Sequence, residues 1–594
     1  MKQQLINLKK TIHLIKKIGN IWVIISVILS IIQGILPTIG MIITQTLLNS
    51  ITSTVRNIKG LVFIFILYVL YSLLTTGITE LQEYVDSKLQ IVLRYKMNYL
   101  LMEKTSKMSL MQFEIPETYN KITRIQNQIS YKPFQIYQAL LNVVTAFTIF
   151  FSAITVLIMW KLSLFPLLVV LPIISIIIYL KIGKNEFNML YKRSSDERKI
   201  WYVSHLLTHD FSVKELRIGK LSDYFLNKYK NINNLFINQE MKINKSKMFY
   251  SVILGVIETA INGFVVFTAV SEAYTGQLMI GNVTTLIRSL ALLQSSTQNI
   301  VNNVYSFYNG SCYMELLYDF ISECSPIAED TDNEKYKIRI NKIDNIELKN
   351  VSFAYFNQKT VLKDISFSLS LGERVAIVGK NGSGKSTIFK LLCGLYDNYQ
   401  GEILVNGIEL RKIDKSSYFD KISVLFQDFL KYELTLRENI GLGDISNIND
   451  DNLLTLALSK VGLKEYFTDK TENVNFELQL GNWFDNGRQL SGGQWQKIAL
   501  ARVYLKSASF YLLDEPSSAL DPISESQIFK SFFELSRDRI GIFITHKPSI
   551  TKNVDKILFV KDGKIKSEGN FKYLLSTDVD FLEFVKTEVG DVYD

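Results

Sequence analysis

Residues 379–386, Gly-Lys-Asn-Gly-Ser-Gly-Lys-Ser, have the types and spacing to hold a polyphosphate. Gly379, Gly382 and Gly384 free the backbone so that N–H groups, with Asn381 and Ser383, can wrap phosphate oxygens at a helix start. Lys385 reaches the outer phosphates, Ser386 can ligate magnesium, and Thr387 completes the nucleotide set. The context is the required one: RVAIV over 374–378 reads as a buried strand, and the apolar-periodic IFKLLCGLY that follows reads as a helix. Downstream, Phe510-Tyr511-Leu512-Leu513 forms a second apolar strand ending in Asp514 and Glu515. Acidic pairs are common at strand ends. Behind a phosphate loop, however, Asp514 should hold magnesium through water, and Glu515 has the position of a general base that polarises the attacking water. The chemistry is hydrolysis of a nucleoside triphosphate, with ATP and Mg2+ as its ligands.

Those residues need an α/β domain to position them, and 594 residues leave room for more than one domain. A polar, acidic linker is expected over 325–342, a nucleotide-binding domain over 343–580 and a tail over 581–594. Charged residues at 21% and hydrophobic ones at 47%, with a mean hydropathy of +0.13, are too apolar for a soluble chain and too polar for one wholly in a membrane. The division therefore puts a membrane domain over 20–324. The net charge of +9 fits basic flanks on membrane segments rather than nucleic acid, because the cations concentrate between the apolar runs.

Residues 1–19 interleave Leu5, Ile6, Leu8, Ile12, Leu14 and Ile15 with lysines, as an interfacial elbow helix does. Six apolar stretches follow near 20–46, 58–79, 137–159, 162–182, 249–270 and 279–302, each about the 20 residues that span a bilayer. The last is weak, carrying Asn282, Arg288, Gln294 and Asn299. It is still required, since five spans would put the ATPase on the wrong side. Residues 80–134 hold eight Lys and Arg and 183–248 hold thirteen, against two in 49–60 (Arg56, Lys59) and none in 271–282. The long segments, the N-terminus and the ATPase are thus expected in the cytoplasm, with helices two to five running on beyond the bilayer.

Each long segment is interrupted once, by Phe113-Glu114-Ile115-Pro116-Glu117 and by Thr208-His209-Asp210-Phe211-Ser212. These are ordinary turns or coupling helices, the latter placed at about 112–121 and 206–216. Glu258 and Arg288 fall inside spans five and six, where charges normally face a cavity or one another. They are expected to pair or to line a pathway, unless the span boundaries are shifted. Cys312, Cys324 and Cys393 lack metal or CxxC spacing, and the histidines at 13, 205, 209 and 546 are too scattered to suggest a metal cluster.

Leu490-Ser491-Gly492-Gly493-Gln494, just before the helix WQKIALARVYL, is the signature of ATP-binding cassette proteins, and the chain is similar to the exporters of that superfamily. The resemblance implies a six-helix all-α exporter-type transmembrane domain followed by an α/β P-loop ATPase domain with a helical subdomain. By the same resemblance Tyr355 in VSFAY stacks on adenine and Gln427 links magnesium to the coupling helices. Ser518-Ala519-Leu520-Asp521 crosses the dimer interface, and His546 in FITHK senses the γ-phosphate. Physical chemistry agrees: a phenol stacks on any base, a neutral amide can ligate a hard cation, and histidine can donate to phosphate. Ser491, Gly492, Gly493 and Gln494 then act on the P-loop of a second copy, so the resemblance implies a homodimer with two hydrolysing sites.

Finer resemblance is to nisin-type lantibiotic exporters. It is carried by YKPFQ at 131–135, WYVSHLLTHDFSVKEL at 201–216, VLFQDFLKYELTLRENIGL at 424–442, LGNWF at 480–484 and LSGGQWQKIALAR at 490–502. Trp495 stands where most exporters carry a charge. The resemblance implies ATP-driven export of a lanthionine-modified precursor peptide, leader attached, across the cytoplasmic membrane of a Gram-positive bacterium, with membrane lipid around it. Partners implied are the peptide, a second copy of the chain, and the dehydratase and cyclase that modify the peptide. No peptidase domain is expected, since the first cysteine is Cys312. A lipid or multidrug exporter, or an immunity or regulatory ATPase, are the alternatives.

Overall fold

Continuous apolar runs of about 20 residues that meet lipid satisfy their backbone as helices, whereas a strand ending in a phosphate loop needs a sheet. The computed structural model describes residues 2–52, 58–323, 337–468, 472–518 and 520–589; Arg56, Cys324, residues 325–336 of the linker expected over 325–342, Ala519 and tail residues 590–594 lie outside them. The chain divides into two compact units, Met1–Met108 with Pro116–Pro326, and Ser109–Ile115 with Ile327–Asp594.

The first unit is all-helical. Its helices are α1 (Lys2–Gly19), α2 (Ile21–Thr52), α3 (Ile58–Ser106), α5 (Pro116–Gln128), α6 (Lys132–Trp160), α7 (Phe165–Lys192), α8 (Ser194–Thr208), α9 (Asp210–Ile218), α10 (Ser222–Tyr274) and α11 (Ile280–Glu323). Five helical segments among the described residues are long and apolar enough to cross a membrane: Ile21–Thr52, Ile58–Ser106, Lys132–Trp160, Leu162–Leu190 and Ser222–Tyr274. The polar residues of α11 keep it below that threshold. At 49 and 53 residues, α3 and α10 run about 75 and 80 Å at 1.5 Å per residue, more than twice the roughly 30 Å of bilayer hydrocarbon. Side-chain amides tie α2 to α11: Gln45 Nε2 and Asn49 Nδ2 donate to Asn282 Oδ1 at 2.6 and 3.0 Å, and Gly281 N–H donates to Asn49 Oδ1 at 2.9 Å. Such bonds hold helices together where lipid supplies no hydrophobic drive.

Among the described residues the second unit has two sheets. One is antiparallel, in the order β2 (Thr360–Ser370), β1 (Asn345–Ala354), β4 (Gln400–Val405), β5 (Ile408–Glu409). The other runs β10 (Lys564–Gly569), β9 (Lys556–Lys561), β3 (Arg374–Val378), β8 (Ile540–Ile544), β7 (Phe510–Asp514), β6 (Ile422–Leu425), parallel except for β10. Helix α12 (Lys385–Leu392) follows β3. A helical layer includes Leu436–Gly441, Asp451–Lys460 and Gly492–Leu505, the last burying Trp495 in the core.

The expected coupling helices each straddle a break. Helix α4 (Leu110–Glu114) opens with Ser109 and Gln112 capping one another, and ends at Ile115, which is extended at φ −81° and ψ 117°. Pro116 forces this, because its ring disfavours helical backbone in the residue before it. The segment 206–216 is crossed in the same way by His209, extended at φ −111° and ψ 148°. There His205 and His209 meet, ring centroids 3.8 Å apart, a contact the sequence reading did not foresee.

Ser109–Ile115 also departs from the expected contiguous membrane domain, for it belongs to the second unit. Leu110 and Met111 pack on the core around β1 and β3. The hydroxyl of Tyr396 donates to Glu114 Oε1 at 2.6 Å. Burial first, then the Glu114 carboxylate, push that phenol above its ordinary range. Tyr396→Phe removes a charge-assisted bond at a partly exposed site, about 1 kcal/mol. Amide exchange across Ser109–Ile115 is therefore expected to quicken about fivefold, with β3 unchanged; unaltered exchange would mean that the apolar contacts alone hold the segment.

Candidate functional site

The site forms where four neighbouring parallel strands end. The phosphate loop leaves β3, Thr545 and His546 follow β8, Asp514 and Glu515 end β7, and Gln427 follows β6. Within the loop Gly384 caps α12 at φ 108°, a backbone that only glycine adopts without strain. A β-carbon at Gly379 would lie 2.2 Å from the Val560 carbonyl oxygen. Lys385, 5% exposed, donates from Nζ to the carbonyls of Gly379 and Lys380 at 2.8 and 3.0 Å. Burial lowers its pKa while Glu515 and Asp514 oppose that shift. Asn381 and Ser386 are exposed on the loop and the first turn of α12.

Asp514 is 6% exposed, and its pKa is pushed up to about 6, chiefly by burial and then by the Glu515 charge. Its Oδ1 and the Ser383 Oγ are buried without a hydrogen-bond partner. Buried polar atoms normally have partners, so the pair fits a divalent cation at the carboxylate and a phosphate oxygen at the hydroxyl. With the Ser386 hydroxyl and the Gln427 amide oxygen, the Asp514 carboxylate makes an all-oxygen donor set suited to Mg2+.

Glu515 is the strained residue. Its φ is +48°, a conformation that costs a non-glycine residue of order 1 kcal/mol or more. Its N–H donates to the Ile544 carbonyl at 3.1 Å, and its own carbonyl accepts from Gln496 Nε2 at 3.1 Å. Gln427 Nε2 lies 2.9 Å from one carboxylate oxygen and His546 Nε2 2.8 Å from the other. The carboxylate is thus aimed by two side chains and the backbone by two more contacts. Gln496, 1% exposed and also bonded to Ser518 Oγ at 3.2 Å, was missed by sequence reasoning. Its only signal is a carboxamide amid the apolar residues that follow the signature.

Tyr355 packs edge-on against Phe353 and Tyr396, with centroids 5.0 and 5.7 Å apart, and its hydroxyl meets Thr387 Oγ1 at 3.1 Å. Ser491 caps the helix Gly492–Leu505 in a reciprocal box with Gln494, which leaves Gly492 and Gly493 at a helix N-terminus. Among the described residues no hydrogen bond joins this signature to the phosphate loop. Asp521 caps Pro522–Leu535 through Ile523 N, Ser524 N and Ser524 Oγ, and those bonds hold its carboxyl below the usual range.

Glu258 and Arg288 lie in the helical unit and do not pair. Arg288 Nη1 donates to Thr44 Oγ1 at 3.2 Å, whereas Glu258 is bonded by Gln294. Six residues along α11 turn the helix by about 240°, so Arg288 faces α2 while Gln294 faces α10.

Comparison with known proteins follows the same division. Residues 362–518 match the ABC transporter family model. The chain is 44% identical over 549 residues to the subtilin transport ATP-binding protein SpaT of Bacillus subtilis, covering 92% of this chain and 88% of the relative. It is 37% identical over 572 residues to the nisin transport ATP-binding protein NisT of Lactococcus lactis subsp. lactis, covering 96% and 94%. An ATP-dependent lipid A-core flippase of Pectobacterium atrosepticum is 29% identical over 437 residues, 73% of this chain and 72% of the relative. In fold the chain resembles a solved bacterial Atm1-family ABC exporter with ATP bound: TM-score 0.81, 19% identity, 96% of this chain and 99% of that one.

Two measurements test the site. At pH 6 about half of Asp514 is protonated before a cation arrives. Calorimetry in buffers of different ionisation enthalpy is expected to show roughly half a proton released from Asp514 per Mg2+ and non-hydrolysable ATP analogue bound at pH 6, and almost none at pH 8. Equal release at both would place the titration elsewhere. Gln496→Leu is expected to lower kcat about 10- to 100-fold by misaiming Glu515, with KM for ATP within about twofold; a change in KM alone would assign Gln496 to nucleotide binding.

Proposed function

The chain belongs to the ATP-binding cassette transporter family that includes the subtilin and nisin transport ATP-binding proteins, and we propose that its cargo is a lanthionine-modified precursor peptide with its leader attached. It is a membrane protein that couples ATP hydrolysis to transport. The observation that carries the cargo reading is the extent of the likeness: 44% and 37% identity run over 92% and 96% of the chain, taking in the helices that meet cargo as well as the ATPase. The likeness to the lipid flippase is lower and shorter, 29% over 73% of the chain.

In this reading two copies alternate between inward- and outward-facing states in the cytoplasmic membrane of a Gram-positive bacterium. Residues 1–19 lie at the interface, six spans include the polar α11, and the ATPase faces the cytoplasm. The breaks at Ile115 and His209 belong to the coupling segments. The modifying dehydratase and cyclase are partners on that side.

Glu515 accepts the proton of the attacking water, with His546 and Gln427 fixing its two oxygens. Lys385 and the loop N–H groups take up charge on the outer phosphates, Ser383 donates to one of their oxygens, and Tyr355 stacks on adenine. Ser386, Gln427 and, through water, Asp514 would hold Mg2+, which would supply positive charge against the phosphate oxygens. Ser491, Gly492, Gly493 and Gln494 of one copy face the phosphates held by the other, where a helix N-terminus favours an anion. Asp521 lies between the copies.

The test is ATPase activity of the purified protein in lipid nanodiscs, with and without a leader-bearing lanthionine precursor. Stimulation of several-fold, abolished by Glu515→Gln, is expected. A response to lipids or apolar drugs but not to the precursor would overturn the cargo and leave the ATPase standing.

A further inference from the structure

Two cavities of similar size open among the membrane helices, and their linings differ in kind. One, of about 390 Å³ among α6, α7 and α11, is walled by Phe147, Phe150, Phe151, Ile154 and Ile173. The other, of about 410 Å³ among α7, α10 and α11, carries Ser175, Tyr179, Ser251, Gln294 and Gln298 around Glu258. Glu258 lies within the apolar stretch 249–270, half-buried, with the Gln294 amide donating to its carboxylate.

Glu258 and Arg288 both lack a counter-charge among the described residues, and of the two it is Glu258 that lines the polar cavity. Lys247, on the same helix, is matched by Glu186 at 2.9 Å. Glu272, near the other end of α10, is paired with Lys161 and bonded by Trp160. Arg288 is turned to Thr44. Among the described residues no Lys or Arg pairs with Glu258. An ionisable group at membrane depth is costly unless it meets a partner or water, and here the chain supplies an amide but no cation.

The surroundings say what kind of molecule brings one. Gln294, Gln298 and Asn302 recur every four residues on one face of α11, and Gln298 Nε2 donates to Asn302 Oδ1 at 3.3 Å. Carboxamides both donate and accept, as peptide backbone does; an acyl chain gains nothing from them and is better suited by the apolar cavity. We propose that the Glu258 cavity is a docking site for the lysine or arginine side chains of the cargo, with the Gln294–Gln298–Asn302 face meeting the adjoining peptide backbone. The proposal rests on the peptide-export reading.

The probe is a fluorescent pentapeptide, Ala-Lys-Ala-Lys-Ala, compared with its glutamine counterpart by anisotropy on the protein in nanodiscs. The parental protein is expected to prefer the lysine peptide about tenfold. Glu258→Gln erases that preference while still binding the glutamine peptide, which also reports the fold, and Glu258→Asp keeps most of it. Equal affinity for both peptides in the parent, no measurable binding of the lysine peptide, or a preference that survives Glu258→Gln overturns the site. If the preference behaves as expected but a leader-bearing precursor does not stimulate the ATPase, the cargo reading falls and the site stands. If the precursor stimulates and Glu258→Gln leaves its half-saturating concentration unchanged, the site falls and the cargo reading stands.

Discussion

Parallel pairing of β6, β7, β8 and β3 is the constraint on which the ATPase depends. Parallel strands deliver the loops at their carboxyl ends to one edge, so Gln427, Glu515, His546 and the phosphate loop meet although 167 residues separate the first and last members of the set, Gly379 and His546. The strands are buried along nearly their whole length. Their rigidity lets the edge hold what would otherwise relax: a left-handed Glu515, an ionisable Asp514 without a partner on one oxygen, and a buried Lys385. Each is unfavourable alone. At the same edge Asp514 Oδ1 and Ser383 Oγ are buried without a partner, which suits a site that a nucleotide completes.

From that edge a short chain of contacts reaches the helix connections. Thr387 on α12 meets the Tyr355 hydroxyl, Tyr355 packs on Tyr396, and Tyr396 donates to Glu114 in the segment between α3 and α5. The break at Ile115–Pro116 matters here. A continuous helix would carry residues 109–115 in line with α5, whereas the extended Ile115 lets α4 seat on the second unit by itself. Phenol against phenol and phenol against carboxylate are short-range contacts. A change at Tyr355 can therefore reach Glu114 without any large movement of the sheet.

The sequence made the ATPase legible because its motifs are contiguous. A phosphate loop, an acidic strand end and a signature each fit within about eight residues, and their types alone restrict the chemistry. Contacts between distant positions were not legible. Gln496 looks like one more polar residue on an amphipathic helix until the Glu515 carbonyl is found 3.1 Å away. Tyr396 reads as a core aromatic, and only the fold brings Glu114, 282 residues earlier, to its hydroxyl. Glu258 and Arg288 were drawn together because both are charges at comparable depth. Depth is a one-dimensional quantity, and the helical angle that turns Arg288 toward α2 is fixed by packing. The weakness of the last span is of the same kind: Asn282 lowers its hydropathy, yet the fold bonds it to Gln45 and Asn49 of α2.

The same distinction separates the engine from its cargo. A lipid flippase at 29% identity can share the cassette, so nothing at the phosphate site can tell a peptide from a lipid. Discrimination has to reside in side chains that contribute little to the ATPase or to helix packing. Few membrane-zone residues meet that condition. Asn282 is used by α2, Glu272 by Lys161 and Trp160, and Arg288 by Thr44. Helix packing already accounts for those polar groups. Glu258 is met by the Gln294 amide but by no cation among the described residues, and an ionisable group at membrane depth without a counter-charge faces a cavity or water rather than lipid.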